Sequence, residues 1–245
     1  MLKIEITRNM TGIKLSGDYY DLEELVEVIH RLTPHGDDSY HPYYGVENRL
    51  LSFCFDVRYA YMGQRETEIV DNGFNEYNKH YHQLKTDDKT VYYSCQFLLP
   101  EVMFLMCSLP ELMMMNEAYC IKEYSYMQYL KDKAYMNMLI SLFEEVLYDI
   151  IGEDEFRKLK KYMKSSYFEF IGYVTHYVDK CNIEYIKTPM DKRANKIKSI
   201  VKRYIDKPIG YLNMEKELLF FAKEHECSIY DLDIDTLQYP DAIEW

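Results

Sequence analysis

The chain has 245 residues, 29 Lys+Arg against 41 Asp+Glu, and a formal net charge of −12. That length suffices for a sizeable core in one large domain or two small ones, and 48% hydrophobic residues argue against disorder. The acidic balance excludes a protein that coats nucleic acid without sequence preference, which needs a positive surface. Tyrosine and methionine are abundant, at 26 and 14 residues. Many core helices are therefore expected to carry tyrosines whose hydroxyls need a partner or a water-facing edge.

The first residues read as a hairpin. Leu2–Thr7 and Ile13–Tyr19 alternate with period two, and Asn9-Met10-Thr11-Gly12 supplies the turn. Alternation from Met1 also argues against a signal peptide. Asp21, with Glu24 three residues on, predicts a capping box opening a helix whose inward stripe is Leu22, Leu25, Val26, Ile29 and Leu32. A loop follows over Thr33–Tyr44, then a helix from Val46 to about Met62, stopped near Gly63. Glu66–Val70 predicts a third strand, Asn75–Leu84 a polar helix, and Thr90–Leu98 a fourth strand. The run Phe97–Met115 contains Pro100, Glu101, Pro110 and Glu111, so it predicts a buried helix pair rather than a membrane span.

From Asn116 the pattern is helical almost throughout, with segments at Tyr119–Ile151, Glu153–Cys181, Asp191–Asp206 and Met214–His225. The expected class is α+β: a small antiparallel sheet of about four strands packed by helices, followed by a helical C-terminal half. The expected organisation is residues 1–115 as an α+β domain, and 116–245 as a helical domain or a helical extension of the same core.

The helix over Val46–Met62 carries the sharpest expectation. At about 100° per residue, Val46, Leu50, Leu51, Phe53, Cys54, Phe55, Val57 and Tyr61 cover more than half its circumference. Arg49, Ser52 and Asp56 share the polar stripe, whereas Arg58 projects into the apolar arc. A buried guanidinium needs an acidic or carbonyl partner or an anionic ligand. Glu47 lies about 16 Å from it along the axis, so Glu66 or Glu68 is the expected partner.

The order E-N-R-L-L-x-F-C-F-D-V-R-Y-A-Y-x-G-x-R-E-x-E-I-V-D-N-G at Glu47–Gly73, after T-G-x-x-x-S-G-D-Y-x-D-L at Thr11–Leu22, resembles a bacterial family of unknown function over roughly the first 115 residues. The resemblance implies no activity. It groups Glu47, Arg49, Asp56, Arg58 and Arg65 as one constellation. Two readings stand: a structural ion-pair network, or a ligand site in which the arginines face a phosphate or carboxylate.

Other chemistry finds less support. The six cysteines never approach zinc spacing and read as reduced, in the cytoplasm. His35 and His41 with Asp37 and Asp38, and His80 with His82, read as solvated loop residues rather than metal ligands. His176 reads as a hydrogen-bonded histidine at the core edge, and the methionines as core filler. No G-x-S-x-G or phosphate loop exists, and no metal or cofactor is called for.

Lys187–Lys207 is a basic island. There Lys192, Arg193, Lys196, Lys202 and Arg203 read as a solvated face, a nucleic-acid backbone contact, or a dock for the chain's acidic tail, which ends on Trp245. The function expected first is a cytoplasmic binding or protein-interaction module without catalysis, paired with a protein partner or itself as a homo-oligomer. The alternatives are an enzyme or sensor for a phosphorylated small molecule or nucleotide, and a nucleic-acid accessory protein. No membrane partner is expected.

Overall fold

The computed structural model describes residues 1–33, 43–166, 168–232, 234 and 237–245. Strands β1 (Lys3–Ile6) and β2 (Gly12–Gly17) form the expected hairpin. Its turn is closed by Thr7, whose backbone N–H and Oγ1 both donate to the Gly12 carbonyl, at 2.9 and 3.0 Å. Strand β3 (Glu66–Asp71) and the long β4 (Lys89–Leu98) complete an antiparallel sheet in the order β1-β2-β4-β3. Alternation sorts its faces. Ile13 and Leu15 of β2 sit opposite Phe97 and Cys95 of β4, and all four are buried. Lys14 projects to the other face and pairs with Glu66 and Glu68.

Helix α1 (Tyr19–Leu32) buries the expected stripe. Its capping box lies one turn earlier than the sequence suggests. Asp18 accepts from the Asp21 backbone at 2.9 Å and Asp21 accepts from the Asp18 backbone at 3.1 Å. Asp18–Asp21 and Asp21–Glu24 share the same spacing, and Asp18 is the residue with extended backbone that a cap requires. Helix α2 (Tyr44–Tyr59) ends in a π-turn over Ala60–Gln64, where Gly63 adopts φ 77°. Helix α3 (Glu76–His82) buries none of its residues.

Helix α4 (Leu99–Met115) is continuous where a broken pair was expected. Pro110 lies inside it with its ring on the exposed side, and Ser108 Oγ bonds back to the carbonyls of Phe104 and Leu105. Almost every other side of α4 is covered. It packs against α8 (His176–Ile186), α9 (Met190–Asp206), α6 (Tyr126–Ile151), α2 and α5 (Glu117–Glu123). One apolar cluster runs from Leu2 to Leu218 and takes residues from both halves of the chain.

The predicted segment Tyr119–Ile151 is divided into α5 and α6 at Ser125, whose Oγ caps Gln128. The segment Glu153–Cys181 is also divided, into α7 (Glu153–Ser165) and α8. Between them Phe168, Phe170, Tyr173 and Val174 are buried, and Gly172 adopts φ 67°. That left-handed residue ends any helix, and the surrounding aromatic side chains are apolar whatever the period. Helix α10 (Ile209–Glu224) starts five residues before the expected Met214 because Pro208 serves as its N-cap.

A 3₁₀ turn covers Ile229–Asp231, and residues 237–245 form a strap lying against α8 and the sheet. Tyr239 Oη donates to Asp179 of α8 at 2.8 Å, and Thr11 Oγ1 donates to the Glu244 carbonyl at 2.5 Å. The Trp245 ring lies against Gly12, where a Cβ would come within 2.8 Å of it.

Candidate functional site

The buried face of α2 is narrower than its composition suggests. Val46, Glu47, Leu50, Phe53, Cys54 and Val57 are buried, while Phe55 and Met62 beyond it are exposed. Arg49 and Arg58 flank this face on opposite edges. Arg58 is exposed, with Nη2 3.0 Å from His30 Nε2, so its expected burial is corrected: the arc that flanks it is the solvent side. Its expected partners Glu66 and Glu68 bind Lys14 instead.

Arg49 is the internal guanidinium. It donates to Glu101 Oε2 of α4 at 2.8 Å, to the Thr175 carbonyl at 2.6 Å, and to Asp179 of α8. Burial works against its charge, and the Glu101 and Asp179 carboxylates more than offset that, raising its pKa. Asn182, one turn past Asp179 and 2% exposed, extends the network through Nδ2 to Glu101 at 2.9 Å and to Tyr239 Oη at 3.0 Å. Two buried atoms in it have no hydrogen-bond partner among the described residues, Arg49 Nε and Asn182 Oδ1.

A cavity of about 300 Å³ opens beside this network. Its walls are α2, the end of β4, the first turn of α4, and α8, and the strap residues Tyr239, Ile243 and Trp245 line it too. Phe53 and Phe97 stack along one side with centroids 4.3 Å apart. Asp56 also lines the cavity and pairs at 2.7 Å with Arg65, both half-exposed. The expected constellation is therefore split. Arg49 and Asp56 border the cavity, Arg65 is tied to Asp56, and Arg58 and Glu47 are not among its lining. Glu101, Asp179, Asn182 and Tyr239 carry the site and were not anticipated. The signal for Glu101 was a carboxylate inside the apolar run Phe97–Met115.

The family described as "Domain of unknown function (DUF6904)" matches residues 2–245. The chain belongs to this family. The DUF6904 match extends through the helical half, well past the first 115 residues. No curated protein and no solved structure matches the chain.

The basic island of this DUF6904 chain is only partly a surface. Arg193 is 8% exposed and donates to the carbonyls of Asn9, Ile186 and Thr188 and to Thr11 Oγ1, at 2.5–3.0 Å. Arg203 bonds to Tyr177 Oη at 2.9 Å and Glu184 at 2.6 Å. Both therefore tie this helix into the fold, through four hydrogen bonds from Arg193 and two from Arg203. Lys192, Lys196 and Lys202 are exposed. Among the described residues no tail carboxylate pairs with this helix: Lys198 pairs with Glu155 at 3.3 Å, and the strap docks on α8 and β2. Asp233 and Asp235 lie outside the described residues, as do His35, Asp37, Asp38 and His41.

Among the described residues no group of three His, Cys, Asp or Glu side chains is placed to hold a metal ion, and no helix is long and apolar enough to cross a membrane. All six cysteines are free thiols. Burial pushes Cys54, Cys107 and Cys181 up to about 12, which suppresses the thiolate a nucleophile needs.

Two buried groups should move stability with pH in opposite directions. Burial raises Glu47 from 4.5 to about 7. Its contribution is present at low pH and lost as pH rises through 7. Burial lowers His176 from 6.5, so its contribution is present above that value and lost as pH falls. Melting curves from pH 5 to 8 should therefore show Glu47→Gln gaining on the parent as pH rises, and His176→Gln gaining as pH falls. Parallel curves for parent and both variants would refute this.

Proposed function

We propose that the chain is a non-catalytic ligand-binding module whose site is the cavity beside Arg49. The single observation that carries this reading is Asn182: a nearly fully buried side chain on the wall of a ligand-sized cavity, with an acceptor that nothing among the described residues satisfies. Buried polar atoms are almost always paired, because an unmade hydrogen bond costs about 1–3 kcal/mol. A cavity with aromatic walls and a few convergent polar groups is the usual form of a small-molecule site. The support for binding over catalysis is the state of the side chains. The thiols of Cys54, Cys107 and Cys181 are held protonated by burial, and the carboxylates at the inner wall are engaged with a guanidinium.

A second reading, self-association, is favoured by α10. Ile209, Leu212, Leu219 and Phe220 are exposed, Ile209 by 72% and Phe220 by 62%. Leu212 and Phe220 each lie four residues from Lys216, so a second copy crossing antiparallel at Lys216 sets Leu212 of one against Phe220 of the other. The two Lys216 stems cover that contact while their ammonium groups reach water.

Native mass spectrometry of gently purified protein separates the readings. Bound mass of a few hundred daltons or less, lost in Trp245→Leu, is the expected result for the ligand site. A dimer without bound mass, dissociated by Phe220→Asp, would instead support self-association. A bare monomer would sink both.

A further inference from the structure

The reading of the Arg49 cavity as a ligand site leaves open what the ligand carries, and the charges around it give an answer that rests on that reading. The inner wall is not neutral. Arg49 brings one positive charge, and Glu101 and Asp179 bring two negative ones, all on side chains no more than 24% exposed. Asp56, which also lines the cavity, is balanced by its ion pair with Arg65 outside the lining. One negative charge is left over on side chains that are mostly, though not wholly, withdrawn from water.

The hydrogen bonds point the same way. Glu101 Oε2 accepts from both Arg49 and Asn182, and Oε1 has no hydrogen-bond partner among the described residues. Asn182 Oδ1 has none either. Both oxygens of Asp179 are used, by Arg49 and Tyr239. The wall therefore presents two acceptors in want of donors. An anion would find less: the terminal nitrogens of Arg49 are already bonded to Glu101, Asp179 and the Thr175 carbonyl, which leaves its buried Nε–H as the one Arg49 donor without a partner among the described residues.

The remaining walls suit a cation as well. Phe53, Phe97 and Trp245 line the cavity, and an aromatic face attracts positive charge. A volume of about 300 Å³ lies at the small end of ligand pockets.

We infer that the cavity takes a small organic cation, an alkylammonium or guanidinium compound whose N–H groups donate to Glu101 Oε1 and Asn182 Oδ1 and whose charge balances the inner wall. This reverses the sign suggested by a run of arginines along one helix, because Arg49 is the only one of the three that borders the cavity, and it is already neutralised.

The test is calorimetric titration at fixed ionic strength on the full chain. Benzylamine and agmatine serve as cationic probes, benzyl alcohol as the neutral counterpart of the first, and inorganic phosphate as the anion. Saturable binding of an amine or guanidinium probe is expected, with benzyl alcohol at least tenfold weaker and phosphate silent. Glu101→Gln removes the surplus charge while keeping the side-chain shape, and should weaken the cation about tenfold or more. Should that variant fail to fold, Trp245→Leu removes an aromatic wall that holds no ion pair, and should weaken it threefold or more. Binding of phosphate, or of benzyl alcohol as tightly as benzylamine, overturns the cation and leaves the ligand site standing. Silence of every probe, with no bound mass in the native spectrum, overturns the site itself.

Discussion

Arg49→Ala should lower the unfolding midpoint by about 6–20 °C, since stripping one partner from a buried ion pair costs about 3–5 kcal/mol and each kcal/mol moves a chain of this size by about 2–4 °C. The loss comes less from the bonds Arg49 makes than from what it leaves behind. Glu101, 18% exposed, and Asp179, 24% exposed, would face each other without the cation between them. Arg58→Ala is the matched control. Its guanidinium is exposed, so stability should change by no more than about 0.5 kcal/mol and the midpoint by about 1–2 °C. The triple variant Arg49→Met, Glu101→Gln, Asp179→Asn should recover much of the loss, because it removes the stranded charges along with the cation. Thermal unfolding followed by circular dichroism reads all three. An Arg49→Ala protein that melts with the parent would mean that water reaches the Arg49 network.

Gly12→Ala should cost about 3 kcal/mol or more, by a different route. A Cβ there would lie 2.0 Å from the Phe97 carbonyl oxygen and 2.8 Å from the Trp245 ring. The ring can move aside, but the carbonyl belongs to β4, which is paired with β2 on one side and β3 on the other. The overlap must therefore be relieved by shifting a central strand. Urea denaturation of Gly12→Ala, Trp245→Ala and the double variant separates the two contacts. If the backbone overlap dominates, Trp245→Ala rescues little of the loss. A full rescue would place the constraint in the strap instead.

The sheet and the first helix were legible because their signals are local. Alternation in Lys3–Ile6, Gly12–Gly17 and Lys89–Leu98, with turn residues between, fixes a face without reference to the rest of the chain. The stripe from Leu22 to Leu32 is equally self-contained. The site was not legible, for a physical reason. Arg49 meets Glu101 across 52 residues and Asp179 across 130, and periodicity speaks only of which face of its own helix a residue occupies. Even that face was blurred in α2. Aromatic and methionine side chains lie on its solvent side as well as in its core, so Phe55 and Met62 widened the apparent apolar arc until it enclosed Arg58. The same richness in aromatics concealed the break after α7, where Phe168, Phe170 and Tyr173 fill the core from an irregular segment.

The bonds at Thr11 bear on when, as well as how, this chain becomes native. Thr11 Oγ1 accepts from Arg193 at 2.6 Å and donates to the carbonyl of Glu244, partners 182 and 233 residues further along the chain. The hairpin around Thr11 is formed from neighbouring residues and can close early. Its buried hydroxyl, however, is satisfied only once α9 and then the strap have been made and brought back across the sheet. Closing loops of that length is entropically slow to begin with. On the ribosome the hairpin would wait for 233 further residues to be added before the partner of its last hydrogen bond exists. Loss of the strap would return the chain to that waiting state, with the cavity beside Arg49 open on its outer side.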